Sequence, residues 1–194
     1  AGACRNVQIL YNDIYRCYYG VRVYGSSSDK SVSTKIKFNS FGNNSTPNDG
    51  HYYAIYIYYA DSTEITNNSI KVSTTSAIYN IYSYYSNNTF VYSNTLSNSV
   101  VSSTYYGIYL SYSHYSSAIN NIIENNNFSS TVYAIYPYYS DYVSVNNNII
   151  RNNTSSSSSY FIYPYYGNYN SVVGNVIENN SSSYHYGIYN YYAT

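Results

Sequence analysis

Apolar and polar positions alternate through short segments of this chain, and the segments recur. The phrase Tyr-small-aliphatic-Tyr returns as YAIYIYY, YNIYSYY, YGIYLSY, YAIYPYY, YFIYPYY and YGIYNYY. Its aliphatic anchors are Val21, Ile55, Ile81, Ile108, Ile135, Ile162 and Ile188, separated by 34, 26, 27, 27, 27 and 26 residues. Period-two alternation marks a strand with one buried face, so each phrase predicts a short strand with aliphatic residues inward and Tyr outward. A helical repeat is excluded, because the segments are poor in Ala, Leu, Lys and Glu and show no 3.6-residue apolar period. A fixed period of this size, made of strands, predicts a single all-β domain over residues 1–194: a β-solenoid of about seven coils of roughly 27 residues. The one long interval contains FGNNSTPNDGH, whose Gly, Pro and Asn predict an inserted surface loop at about 41–51.

Counting from each anchor gives further columns. Two residues before it stand Tyr19, Tyr53, Tyr79, Tyr106, Tyr133, Tyr160 and Tyr186; one residue after it stand Arg22, then Tyr56, Tyr82, Tyr109, Tyr136, Tyr163 and Tyr189. Thirteen after it come Thr34, Asn68, Asn94, Asn121, Asn148 and Asn175, and fifteen after it come Ile36, Ile70, Leu96, Ile123, Ile150 and Ile177. A further aliphatic set, Ile65, Val91, Ile119, Val145 and Val173, lies ten or eleven residues past the anchor and marks another strand. In-register stacking sets like residues about 4.8 Å apart, so Tyr is expected to stack on Tyr and Asn to form an amide ladder. Asn suits the turns because it tolerates the left-handed conformation. Pro137 and Pro164 share the column two after the anchor, where a missing N–H costs a ladder bond.

Composition changes the picture in two ways. Tyr supplies 35 of 194 residues and charged residues only 8%, with net charge zero, which at first suggests disorder. The regular Ile, Val and Tyr, all strand formers, exclude it. Tyr, Ser and Asn also do not ionise below about pH 9, so the surface keeps its charge in acid. The chain begins Ala1-Gly2-Ala3-Cys4, lacks Met and has no apolar run of membrane-spanning length, which reads as a processed or cut chain with no membrane insertion. Asn43, Asn44, Asn67, Asn87, Asn127, Asn152, Asn153, Asn179 and Asn180 fit the N-x-Ser/Thr acceptor pattern and are candidate glycosylation sites. Cys4 and Cys17 fall in the first coil, where a disulfide is expected in an oxidising compartment and two free thiols otherwise.

The pattern Gly107-Ile108-Tyr109-Leu110, Asn120-Asn121-Ile122-Ile123 and Asn125-Asn126, repeated along the chain, resembles the parallel β-helix repeats of the NosD-like and pectate-lyase-like superfamilies. The resemblance implies a right-handed parallel β-helix and an exported protein. It implies no one activity, since such repeats serve enzymes, viral tail spikes, adhesins and surface proteins. The composition is similar to that of secreted proteins of thermoacidophilic archaea.

Candidate chemistry is sparse. Asp61 and Asp141 share a column three coils apart, about 14 Å, and Glu124 and Glu178 share one two coils apart, about 9.6 Å. Arg151 stands between the two Glu, so a charge-cancelling Glu-Arg-Glu ladder is expected there in place of a catalytic pair. His51, His114 and His185 fall in separate columns or distant coils, which predicts no metal site and no support for a copper role by analogy with NosD-like proteins. No cofactor loop or basic nucleic-acid patch is present. For the Tyr columns, self-stacking is expected, ahead of contact with glycans or surfaces and of charge transport.

Neither end carries a recognisable cap, and the partial coils at the two ends are roughly complementary. Residues 1–37 hold six basic against two acidic residues, and the remainder two against six, giving a positive head and a negative tail. These features predict a non-enzymatic, secreted structural protein of the cell surface whose copies stack head to tail into a filament. The alternative is a carbohydrate-binding or carbohydrate-cleaving β-helix, or a viral or host adhesin.

Overall fold

The computed structural model describes residues 3–42 and 51–193. Asn43, Asn44 and most of the expected loop at 41–51 lie outside the described residues. The chain winds into a β-solenoid in which every strand pairs, in parallel, with its counterpart one turn away. Sheet I carries the anchors in seven strands: Tyr19–Tyr24, Tyr53–Tyr58, Ile78–Tyr84, Tyr105–Ser111, Val132–Tyr138, Ser158–Ile162 and Tyr184–Ile188. Seven anchor strands delimit six full turns. Sheet II runs from Gln8–Leu10 to Ser171–Val173 and sheet III from Asp13–Ile14 to Val176–Glu178, each with seven strands. A shorter four-strand sheet IV includes Val100–Val101 and Asn127–Phe128. Among the described residues there is no helix long and apolar enough to cross a membrane.

Register follows the anchors. Ile81 pairs with Ile55 and Ile108, and Ile135 with Ile108 and Ile162. Ile55, Ile81, Ile108, Ile135 and Ile162 are fully buried. The interior is not uniformly apolar: Ser83, Thr89 and Ser113 join hydroxyls at 3.0 and 3.1 Å.

The first turn departs from the expected columns. Ile36 pairs with Ile65, whereas Phe41 pairs with Ile70, and Asn39 takes the Asn position expected of Thr34. The cause is a divided insertion. Asn39 lies 18 residues after Val21, against 13 from Ile55 to Asn68, so part of the extra length is spent in the bend at Gly25–Lys30 before the Asn corner. Ala118 and Val172 complete the Ile65–Val91–Val145 column in place of Ile119 and Val173, since Val91 pairs with Ala118 and Val145 with Val172. At the proline column, Pro137 keeps a carbonyl bond from Tyr165 N at 2.9 Å, and the anchor strand of the next turn stops at Ile162, short of Pro164. An imino nitrogen cannot extend the ladder.

Corners are made by left-handed residues at fixed columns. One column is Ser93, Asn120 and Asn147; another is Asn98, Asn125, Asn152 and Asn179, all with φ between 53° and 56°. Just inside the first of these runs the Asn ladder, Asn12, Asn39, Asn68, Asn94, Asn121, Asn148 and Asn175. Each Asn main-chain N–H and Nδ2 donates to Oδ1 of the Asn one turn later, as with Asn94 to Asn121 at 3.0 Å for both. Nδ2 also donates to a carbonyl one turn earlier, such as Asn121 to Val91 at 3.0 Å. A second ladder, Asn126, Asn153 and Asn180, does the same at the next corner.

Candidate functional site

The feature that distinguishes this solenoid is a face of stacked tyrosines on sheet I. Outward alternation puts two Tyr columns on each anchor strand, and the turn spacing brings their rings together. In the first column, Tyr79 lies 4.5 Å from Tyr106, Tyr106 lies 5.0 Å from Tyr133, and Tyr160 lies 5.0 Å from Tyr186, with planes within 9°. Tyr19, Tyr53 and Tyr79 continue it at 5.1 Å. In the second column, Tyr82–Tyr109, Tyr109–Tyr136 and Tyr136–Tyr163 lie 4.8, 4.9 and 5.1 Å apart, and Tyr163–Tyr189 lies 5.2 Å apart. Tyr56 is tilted by 46° against Tyr82.

Three further columns escaped the sequence reading. Tyr24, Tyr58 and Tyr84, with Tyr138, Tyr165 and Tyr191, stand three after the anchor. Tyr59, Tyr85, Tyr112, Tyr139, Tyr166 and Tyr192 stand four after it, stacked at 4.9 to 5.4 Å. Tyr115, Tyr142 and Tyr169 form a third set at the following corner. The doubled Tyr closing the phrases YAIYIYY and YAIYPYY carried the signal for the first two.

Burial makes the inner phenols of the first two columns harder to ionise. Desolvation, reinforced by neighbouring phenols, pushes Tyr56 and Tyr106 up to about 12 and raises Tyr53, Tyr82, Tyr109, Tyr136 and Tyr163 as well. Within the columns each ring is covered above and below by its neighbours. Solvent therefore meets ring edges and hydroxyls, whereas a sugar would stack on ring faces.

Elsewhere the structure sorts the candidates. Arg151 Nε donates to Glu124 Oε2 at 2.8 Å, and Glu178 follows one turn on, in register with Arg151. His114 Nδ1 accepts the Asp141 N–H at 3.1 Å within a corner ladder that also holds Asp61 and Asn87. Lys30 binds Asp61, and Lys35 and Lys37 approach Glu64, so three cations of the expected positive head are paired with the following turn. The expected disulfide is absent: Cys4 and Cys17 are free. Cys4 N–H donates to Ser31 Oγ at 3.2 Å and Cys17 Sγ lies 3.5 Å from His51 Nδ1, so each sits against a different part of the next turn. Among the acceptor asparagines, Asn67, Asn127, Asn152 and Asn179 are exposed. Asn153 is not available, being buried in the second ladder with Nδ2 committed to Ile123 O at 2.9 Å. Asn180 Nδ2 likewise donates to Ile150 O, and Asn87 is half-buried in the His114 ladder.

The family described as periplasmic copper-binding protein (NosD) matches residues 46–193. The chain belongs to this family. Its periplasmic description agrees with an exported location. No curated protein matches the chain in sequence. The NosD description raises the question of copper, which draws on imidazole, thiolate and thioether donors. The chain has no Met, and among the described residues no three His, Cys, Asp or Glu side chains converge. Two pairs approach: His114 Nδ1 and Asp141 Oδ2 at 3.3 Å, already within the corner ladder, and Cys17 Sγ and His51 Nδ1 at 3.5 Å. Both His51 nitrogens already face carbonyls, of Cys17 and Ile14, at 3.1 Å, and burial lowers the His51 pKa and raises that of Cys17, against a thiolate. This donor set does not fit a copper centre.

Proposed function

We propose that this NosD-family solenoid is a non-enzymatic structural protein of the cell exterior whose copies stack head to tail into a filament. The observation that carries the reading is the ladder along the described solenoid: every turn holds the next through the same Ile, Tyr and Asn columns, in parallel and in register. A surface built of such columns takes a further layer that carries the same columns. Along the described sides the tyrosine rings cover one another within their columns, and Glu124, Arg151, Asp61, His114 and Asp141 are ladder members.

Sedimentation velocity and negative-stain electron microscopy of the purified chain test this. Filaments with a subunit repeat along the solenoid axis are expected, and monodisperse monomers at high concentration refute it. The carbohydrate reading predicts instead glycan binding that Tyr replacements on sheet I abolish, which a glycan array decides.

A further inference from the structure

The two inner columns of the tyrosine face form one continuous array of phenols. Along the second column Tyr56, Tyr82, Tyr109, Tyr136 and Tyr163 follow one another at 5.4, 4.8, 4.9 and 5.1 Å between centroids. The first column joins it in turn after turn: Tyr53–Tyr56, Tyr79–Tyr82, Tyr106–Tyr109, Tyr133–Tyr136 and Tyr160–Tyr163 lie 4.9 to 5.3 Å apart. At these spacings neighbouring rings are in contact. Packing does not by itself call for a hydroxyl on each ring. Tyr136 and Tyr163 are only 9% exposed, where Phe would stack as well, yet the chain has 35 Tyr against 5 Phe and no Trp. What Tyr has and Phe lacks is a phenol that gives up one electron and one proton to a strong oxidant.

Three properties let such an array carry an oxidised site from turn to turn. Electron exchange between groups falls off steeply with distance, and here each step is a ring contact. The donors are the same residue in like surroundings, so no step is strongly uphill. Burial keeps the inner phenols protonated, Tyr106 up to about 12, so electron and proton must leave together, and the hydroxyls meet the solvent that takes the proton. We propose that the tyrosine face relays a one-electron oxidation along the solenoid axis, from phenol to phenol. In each hop a neutral phenoxyl radical on one turn takes an electron from the phenol of the next. Water returns a proton to the first oxygen and accepts one from the second, so the radical moves by one turn and nothing else changes. The relay starts with a one-electron oxidant stronger than a tyrosyl radical, such as the high-valent iron of a peroxidase or a ruthenium(III) polypyridyl complex. That oxidant is reduced by one electron as the first phenol loses one. The relay needs only turns within one chain and is independent of the filament reading.

A flash-quench experiment tests it. Arg22, exposed and with its guanidinium carbon 5.9 Å from the Tyr56 centroid, is replaced by Cys in a Cys4→Ser, Cys17→Ser background and labelled with a ruthenium(II) polypyridyl complex. Light and a cobalt(III) quencher, which takes one electron from the excited label, generate ruthenium(III) in place. 3-Aminotyrosine, which is easier to oxidise than tyrosine, replaces Tyr163 as the trap, four turns or about 19 Å from Tyr56. Its radical, read by electron paramagnetic resonance, is expected at a yield independent of protein concentration. Among the described residues, the middle turn carries Tyr106, Tyr109 and Tyr112 on this face, with Ser111 standing where Tyr84 and Tyr138 stand in the turns beside it. Tyr106→Phe, Tyr109→Phe and Tyr112→Phe together keep the ring stack and remove the oxidisable groups, so the trap signal is expected to be lost. With the trap moved to Tyr82, ahead of the interrupted turn, the signal is expected to survive the same three changes, which separates a broken relay from a damaged fold. Tyr115→Phe, Tyr142→Phe and Tyr169→Phe, in the separate corner column, are expected to leave the signal unchanged. Equal radical yield at Tyr163 with and without the three phenols of the middle turn overturns the relay, as does an intact array in which the Tyr163 trap is never oxidised.

Discussion

Replacing Asn121 by Ala perturbs the ladder at its most enclosed point. The fully buried Asn121 side chain makes five hydrogen bonds. Nδ2 donates to Val91 O at 3.0 Å, Ile119 O at 3.2 Å and Asn148 Oδ1 at 3.0 Å; Oδ1 accepts Asn94 N and Nδ2, both at 3.0 Å. Several partners keep a second bond. Ile119 O still accepts Ser93 N, Asn148 Oδ1 still accepts Asn121 N, and Asn94 Nδ2 still reaches Ile65 O. The Val91 carbonyl keeps its ladder bond from the Ile119 N–H, so the Asn94 N–H bears the loss, in a place water does not reach. At about 1–3 kcal/mol for a buried group left unmatched, the expected cost is about 1–3 kcal/mol. For a chain of this size that lowers the melting temperature by roughly 2–12 °C. Asn175→Ala, half-buried in the last turn, allows water to replace the lost bonds and should cost about 1 kcal/mol or less. Thermal and urea unfolding followed by circular dichroism, at concentrations where both variants are in the same assembly state, compares them. An Asn121→Ala midpoint no lower than that of Asn175→Ala would refute the view that the enclosed ladder holds this corner.

Alkali should unfold the protein through its tyrosines. Above pH 10 the unfolded chain releases phenolic protons that the folded chain retains, so stability falls as pH rises, until the folded groups also ionise near 12 at Tyr56 and Tyr106. Phenolate absorbance of the buried tyrosines should appear in step with loss of circular dichroism, and titration of Tyr53, Tyr56, Tyr82, Tyr106, Tyr109 and Tyr136 near pH 10 in the intact fold would contradict this. Ile108→Ala, in the closed middle of the solenoid, should cost about 2–5 kcal/mol. The same change at Ile188 should cost far less in the monomer, and urea titration of both tests it. Asn153→Gln should destabilise the fold while Asn67→Gln leaves it unchanged, and any glycan found by mass spectrometry should sit at an exposed acceptor such as Asn67, Asn127, Asn152 or Asn179.

The period and the Tyr and Asn columns were legible in the sequence because each turn from Ile55 onward repeats within one residue of the last, so a column found once can be counted forward. The first turn was not legible by counting. Its extra residues are divided between Gly25–Lys30 and the segment after Gly42, and a count from Val21 lands on Thr34 although Asn39 holds the corner. Local patterns misled in the same way. The N-x-Ser/Thr signature at Asn153 says nothing of which way the side chain faces, and here it faces inward. Shared membership of one coil placed Cys4 and Cys17 close in sequence, but each sits against a different part of the next turn.

The left-handed corner at Tyr112 and Tyr139 shows what the tyrosine face is organised around. A bulky residue at φ of 47° to 48° costs about 1–2 kcal/mol, which Asn or Gly would avoid. Tyr nevertheless occupies that corner in six successive turns, each ring stacked on the next. A stack contributes about 0.5–1.5 kcal/mol beyond its buried area, and an interior ring has two, enough to offset the strain. The terminal ring Tyr192 bears the same strain with one stack, on Tyr166. The tyrosine face is thus organised by ring-on-ring contact from turn to turn, strongly enough to hold Tyr in a backbone conformation that favours Asn or Gly.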